Sequence, residues 1–204
     1  MSKIWAALAA ISMVLGLVGV TPGFAQSTPQ ATPDDRILGK PDAPITIFEF
    51  ASFTCPHCAD FDANTLPKLK AEWIDTGKAR LIFRDFPLDK DALKAAKLAR
   101  CAPPEQFYNF VDALFRNQKT WAVSGNVDDA LARMAKLGGM SDATVTACMN
   151  NEALALQISS TELQAKTDYG IESTPTFFIN DTKLVGALPY DAFAKALNQA
   201  ASKG

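Results

Sequence analysis

The chain has 204 residues, of which 48% are hydrophobic and 21% are charged, and its formal net charge is −2 at pH 7. This length and composition predict one globular domain with a sizeable core. The near-neutral charge and the lack of a basic run argue against nucleic acid or an anionic membrane surface as a partner.

The N-terminus has the pattern of an export signal. Lys3 supplies a positive charge, residues 4–20 form an uncharged apolar run, and Gly23-Phe24-Ala25 is a small-x-small cleavage sequence. We therefore interpret residues 1–25 as a signal peptide that is cut after Ala25. The apolar run is also long enough to span a bilayer, so an uncleaved membrane anchor is the alternative. Either form places the rest of the chain in an oxidising compartment, and the predicted location is the periplasm.

Beyond the signal, the chain passes from a linker into its first regular elements. Residues 26–35 are rich in Pro, Thr, Ser and Gln, and we predict a flexible linker over residues 26–40. The apolar run Ile45–Ala51 predicts a buried strand. A helical pattern then extends to Trp73, and Pro67 is expected to kink or break it.

A Cys-Pro-His-Cys sequence at residues 55–58 lies between that strand and that helix. Pro56 suits the first helical position, so Cys55 should cap the helix and face its unpaired N–H groups. These groups stabilise a thiolate and lower its pKa, which makes Cys55 the attacked sulfur and Cys58 the buried resolving thiol. His57 adds a positive charge beside Cys55, unless it only faces solvent. A structural disulfide and half of a zinc site are the alternatives for the pair.

The following stretch predicts one more strand and then helices only. Ala79–Phe86 is predicted to be a strand, and Asp89–Arg100 is predicted to be a helix. No strand pattern occurs between about residue 103 and residue 150. Helical spacing recurs there at residues 106–115, 126–137 and 142–149.

The C-terminal part returns to mixed structure. Glu152–Tyr169 predicts a long helix, which Gly170 stops. A strand at Thr176–Asn180 and a returning strand at Leu184–Gly186 predict a hairpin. Tyr190–Ala201 predicts the last helix.

The Cys-Pro-His-Cys sequence in this setting resembles the DsbA family of thioredoxin-fold oxidants, over residues 41 to 197. The resemblance and the order of elements imply an α/β fold, namely a thioredoxin fold interrupted by an inserted helical subdomain. Residues 41–100 would be the first part of the thioredoxin-like domain, residues 101–150 the helical insertion, and residues 151–201 the second part.

The Thr174-Pro175 pair is a second candidate site. A proline that enters a strand from a tight loop is a candidate for a cis peptide bond, and an ordinary trans proline is the alternative. The resemblance implies that both residues face Cys55, and that Thr174 offers its backbone to an extended substrate. Thr174 stands where the best-known enterobacterial member of the family has valine.

Glu49 lies six residues before Cys55 within the apolar strand. A carboxylate there should be partly buried, with a raised pKa. It can exchange a proton with Cys58 through water, and its position matches a buried acidic residue of the DsbA family. An ion pair with Arg80 or Arg84 is the other interpretation, and the two do not exclude each other.

The other two cysteines, Cys101 and Cys148, flank the insertion. Because the cysteine count is even and Cys55 is assigned to Cys58, these two are predicted to form a structural disulfide, as in alphaproteobacterial members of the DsbA family. A second, shuttling redox pair is the alternative. Phe53 and Phe86 belong either to the core or to an apolar rim that binds substrate.

These features together predict a periplasmic thiol:disulfide oxidoreductase that introduces disulfide bonds into exported proteins through residues 55–58. Its partners would be unfolded or partly folded exported proteins with free cysteines. It would need no metal or organic cofactor, and the resemblance implies reoxidation by a membrane quinone-linked protein. A monomer is expected, since no dimerisation domain precedes Pro41. The alternatives are a disulfide reductase or isomerase on the same fold, and a non-catalytic binding module or holdase.

Overall fold

The computed structural model describes residues 27–203. The predicted signal peptide and its cleavage site lie outside the described residues. Within residues 27–203, no helix combines the length and the apolar character needed to cross a membrane.

The described residues form a sheet with the strand order β1-β3-β2-β4-β5. The strands are β1 Ile37–Leu38, β2 Ile45–Ala51, β3 Ala79–Asp85, β4 Thr176–Ile179 and β5 Thr182–Val185. Only β2 and β3 are parallel, and the other neighbours are antiparallel. Strand β2 lies in the middle and is buried along almost its whole length, which confirms the central strand that its apolar sequence predicted.

Helices cover much of the remaining chain. Those of the described residues are α1 Pro56–Asn64, α2 Leu66–Leu69, α3 Lys90–Cys101, α4 Phe107–Arg116, α5 Gln118–Trp121, α6 Val127–Leu137, α7 Asp142–Met149, α8 Glu152–Tyr169 and α9 Tyr190–Ala201. The predicted bounds of α7, α8 and α9 are confirmed. The short helix α5 was not predicted, because four residues are too few to show a helical period.

The helix predicted after the Cys-Pro-His-Cys sequence is broken near Pro67. Helix α1 ends at Asn64, α2 carries Pro67 in its first turn, and a π-helical turn follows over Lys70–Ile74. Proline has no backbone N–H to donate to the preceding turn, so the regular bonding pattern is interrupted there.

Helices α4 to α7 form the inserted subdomain, which packs against the C-terminal ends of β2 and β3. The core between them includes the stacked rings of Phe53 and Phe83, whose centroids are 5.3 Å apart. The ring of Phe115 packs on Phe53 from the insertion, with 5.1 Å between the two centroids. Phe53 and Phe86 are only 1% and 2% exposed. The interpretation of these two rings as a substrate rim is therefore wrong, and both belong to the core.

The segment predicted to be a flexible linker makes ordered contacts from Ser27 onward. The Asp35 carboxylate pairs with the buried Arg84 guanidinium at 2.7 Å, and the Gln30 carbonyl accepts a second bond from Arg84 at 3.0 Å. Strand β1 then pairs with β3. The segment is held in place because the buried Arg84 guanidinium needs a negative charge and hydrogen-bond acceptors, which this segment supplies. The composition of the segment alone does not show that Arg84 needs it.

Candidate active site

The fold places Cys55 at the N-terminus of α1. Cys55 caps the helix, and Pro56 occupies its first turn, as the sequence predicted. Both Cys55 and Cys58 are thiols in this structure, and Cys55 is 5% exposed. The Cys55 sulfur lies 3.3 Å from the Thr174 carbonyl oxygen, to which the protonated thiol donates a hydrogen bond.

The environment of Cys55 favours its charged form. Its pKa falls from 9.0 to about 5, chiefly because the Cys58 thiol donates a hydrogen bond to the Cys55 sulfur. Burial opposes this effect, but the Thr174 side chain and the backbone N–H groups of Cys58 and His57 lower the pKa further, and together these groups outweigh burial. At neutral pH the reduced protein therefore carries a thiolate at Cys55.

Cys58 has the opposite character. It is fully buried, and burial raises the pKa of its thiol far above the ordinary value. The hydrogen bond to Cys55, the Cys55 charge and the Glu49 carboxylate raise it further. The two sulfurs are thus chemically distinct: one is a stabilised thiolate and the other holds its proton.

The Thr174–Pro175 peptide bond is cis, and it directly precedes β4. Because β4 pairs with β2 up to the Phe50–Thr176 position, the sheet brings this loop beside the residues that follow β2. The Thr174 side chain is buried beside the Cys55 sulfur, and it lowers the pKa of that thiol. The structure therefore brings Thr174 and Pro175 to Cys55, as the resemblance implied.

His57 lies on the exposed surface of the first turn of α1. Its backbone N–H lowers the pKa of the Cys55 thiol. A tuning effect of the imidazole stays a prediction.

Glu49 is 2% exposed, and its Oε1 atom has no hydrogen-bond partner within residues 27–203. The ion pair with Arg80 or Arg84 is not formed. Arg84 bonds to Asp35, whereas Arg80 bonds to the Thr46 hydroxyl. The reason is strand alternation: Glu49 is level with Phe83 in β3, so the side chains of residues 80 and 84 point to the other face of the sheet.

Replacing Glu49 with glutamine is expected to stabilise the protein at neutral pH. Burial, and then the charge of Asp62, raise the pKa of Glu49 well above its usual value. The folded state therefore loses stability as pH rises from the unfolded pKa to the raised folded pKa. Glu49→Gln removes this slope, and we expect about 1–3 kcal/mol more unfolding free energy at pH 7. Urea unfolding of the oxidised protein from pH 4 to pH 8 measures the unfolding free energy at pH 7 and its dependence on pH.

Glu172→Gln is the matched control for this experiment, because Glu172 is exposed and its substitution leaves the buried carboxyl in place. Asp62 contributes its own pH slope to every variant, so the difference between variants isolates Glu49. An equal pH slope in Glu49→Gln and wild type would show that Glu49 does not hold a buried proton.

Two buried polar groups of this region were not predicted from the sequence. The carboxyl of Asp62 on α1 has its pKa raised to about 7, first by burial and then by the charge of Asp112, while Arg116 lowers it. The amide of Gln118 donates to the carbonyls of Phe53 and Cys55. Only burial distinguishes these residues from surface Asp and Gln, and local sequence does not show burial.

The remaining two cysteines are joined. A disulfide links Cys101, at the end of α3, to Cys148 in α7, across a sequence separation of 47. It ties the inserted helices to the helix that precedes them. Within the described residues, no three His, Cys, Asp or Glu side chains are placed to hold a metal ion.

Comparison with known proteins agrees with this geometry. A family model described as Thioredoxin matches residues 31–199. The crystal structure of alpha-DsbA1 from Wolbachia pipientis has a TM-score of 0.79 and 34% identity, covering 85% of this chain and 94% of that chain. BdbD from Bacillus subtilis has a TM-score of 0.75 and 26% identity, covering 84% of this chain and 94% of that chain.

A curated relative, a candidate protein-disulfide oxidoreductase of Rickettsia conorii, is 33% identical over 169 residues. The match covers 82% of this chain, and it spans only 60% of the length of that relative. These matches and the helical insertion confirm the predicted fold class. The chain belongs to the thioredoxin family and, within it, to the DsbA-like proteins.

Proposed function

We propose that this chain is a thiol:disulfide oxidoreductase that donates a Cys55–Cys58 disulfide to cysteine-containing proteins in the periplasm. The observation that carries the proposal is the contrast between the two sulfurs, with a pKa of about 5 at Cys55 and a raised pKa at buried Cys58. Stabilising the reduced form of a dithiol makes its disulfide a stronger oxidant.

The exchange begins when a substrate thiolate attacks the Cys55 sulfur of the disulfide. The Cys55–Cys58 bond breaks, Cys58 leaves with the electron pair, and it takes up a proton because its pKa is high. A second substrate thiolate then attacks the substrate sulfur of the mixed disulfide and expels Cys55 as a thiolate. The substrate loses two electrons, and the Cys55–Cys58 pair gains them.

Three further residues take roles in this proposal. Glu49 supplies the proton to Cys58 through water, which its burial and its effect on the Cys58 pKa support. The substrate lies along the backbone of Thr174 and Pro175, beside the Cys55 sulfur.

Reoxidation of the reduced Cys55–Cys58 pair is carried out by a membrane quinone-linked protein, and the enzyme acts as a monomer.

The equilibrium reduction potential of Cys55–Cys58 tests the proposal. The purified protein is equilibrated in glutathione buffers, and the thiols are counted after alkylation. We expect a potential less negative than about −180 mV, on the oxidising side of protein disulfide isomerase. A potential near about −270 mV, where thioredoxin lies, would contradict disulfide donation and indicate a reductase.

A further inference from the structure

Gln118 is a buried amide in the inserted subdomain. It opens the short helix α5, directly after α4, and is 6% exposed. Its Nε2 atom lies 2.8 Å from the Phe53 carbonyl oxygen and 2.9 Å from the Cys55 carbonyl oxygen. One side chain from the insertion thus bonds to both ends of the loop that leads into the Cys-Pro-His-Cys sequence.

The two carbonyls depend on Gln118 to different degrees. The Cys55 oxygen also accepts the first helical bonds of α1, from the N–H groups of Cys58 at 3.1 Å and Ala59 at 3.3 Å. The Phe53 oxygen accepts a hydrogen bond from no other donor within residues 27–203. Without Gln118 a carbonyl of a buried residue would lack a partner, so the loop would be expected to shift toward one.

Gln118 is itself firmly placed. In the same short helix, the Trp121 indole N–H donates to the Leu114 carbonyl at 2.8 Å, and the Trp121 side chain is fully buried. The Phe115 ring of α4 packs on the Phe53 ring. A rigid element therefore presents the Gln118 amide, which makes it suitable for fixing the position of another group.

The Cys55 sulfur requires such fixing. As the cap of α1 it makes no side-chain capping hydrogen bond, and its contact across the site is the 3.3 Å bond to the Thr174 carbonyl. We infer that Gln118 is a positioning residue for the proposed exchange reaction: by holding the carbonyls of Phe53 and Cys55 it keeps the Cys55 sulfur over the N-terminus of α1 and against the Thr174 loop. This inference rests on the proposed redox role of Cys55.

Gln118→Met tests this role, because methionine keeps the length of the side chain and removes both donors. We expect the thiolate titration of Cys55, read by absorbance at 240 nm, to move about one unit toward alkaline pH. The equilibrium constant against glutathione should shift about tenfold toward the disulfide, which corresponds to about 30 mV.

Asn117→Ala is the matched control. Asn117 is the exposed neighbour of Gln118, and its amide also bonds to a backbone carbonyl, that of Ala113 at 2.8 Å, away from the loop. This variant loses a bond of the same kind and should keep the wild-type titration and equilibrium constant. A Gln118→Met protein with wild-type values in both measurements overturns the inference.

A purely structural role is distinguished by comparing the oxidised and reduced forms in urea. A positioning role predicts that Gln118→Met destabilises the reduced form more than the oxidised form, since only the reduced form holds a thiolate. Equal destabilisation of both forms would overturn the inference. If Gln118→Met does not fold, Gln118→Ala replaces it: alanine also removes both donors, so a shift in the same direction is expected, and an unchanged titration contradicts the role.

The inference and the proposed function fail in different ways. A reducing potential in the wild-type protein refutes disulfide donation, while the difference between Gln118→Met and Asn117→Ala still decides the role of Gln118. An oxidising wild type with no such difference refutes only the inference.

Discussion

Cys55→Ser and Cys58→Ser are each expected to abolish disulfide transfer to a reduced substrate, and Cys58→Ser is expected to trap a mixed disulfide when it meets a disulfide-bonded substrate. Cys55 is the sulfur at the helix N-terminus and forms the thiolate, while Cys58 is fully buried and holds its proton. Removing the reacting atom should reduce the rate of oxidation of a reduced model protein by about 1,000-fold or more. Alkylation followed by mass spectrometry measures this rate.

The Cys58→Ser protein tests the order of attack. When it is mixed with a disulfide-bonded substrate, the Cys55 thiolate should form an adduct that persists, because no resolving thiol remains. Ala63→Ser, which adds a hydroxyl at an exposed position of the same helix, should behave as wild type. A stable adduct on Cys58 in the Cys55→Ser protein, with none on Cys55 in the Cys58→Ser protein, would reverse the assigned roles.

The double variant Cys101→Ala/Cys148→Ala is expected to lose about 4 kcal/mol of unfolding free energy. This figure follows from the entropy of closing a loop with a sequence separation of 47 in the unfolded chain. Urea unfolding with the Cys55–Cys58 pair kept oxidised measures the loss. The potential of Cys55–Cys58 should stay unchanged, which is the result expected of a structural disulfide.

The second redox pair is the competing interpretation of these two cysteines. It predicts that the double variant transfers disulfides more slowly and that Cys101 and Cys148 exchange with glutathione at the potential of the active site. Cys55→Ala/Cys58→Ala serves as the comparison for stability. It removes a disulfide that closes only a very short loop, so its expected loss is smaller.

The sequence predicted those features that local chemistry determines. Pro56 marks a helix start after Cys55 because proline has no backbone N–H and so fits the first turn, where no N–H partner is needed. Pro67 interrupts its helix because the same missing N–H breaks the bonding pattern there. A continuous apolar run predicted β2, and helical spacing predicted the long helices. The candidate cis bond before Pro175 came from a proline that enters a strand, whereas the closeness of this loop to Cys55 came from family resemblance, since residues 119 apart carry no local sign of their contact.

Other features depend on contacts between distant segments, which a single sequence does not show. The Asp35–Arg84 ion pair orders a segment whose composition is that of a linker. Strand pairing places Arg80 and Arg84 on the other face of the sheet from Glu49, which therefore lacks the arginine partner that its charge suggested. Gln118 bonds to residues 63 and 65 positions earlier, and before the chain folds it is one polar residue among several.

The attachment of Cys55 to two distant segments has a consequence for the protein during its synthesis. The Cys55 sulfur contacts the Thr174 carbonyl, and the Cys55 carbonyl accepts a hydrogen bond from Gln118. The complete site is therefore built from three regions of the chain, around residues 55, 118 and 174. A nascent chain that has not yet received residues 118 and 174 has Cys58 and the start of α1, but it makes neither of these two distant contacts. The complete site is therefore assembled late, after the C-terminal third has docked, and unfinished chains should exchange with other polypeptides less readily than the folded protein.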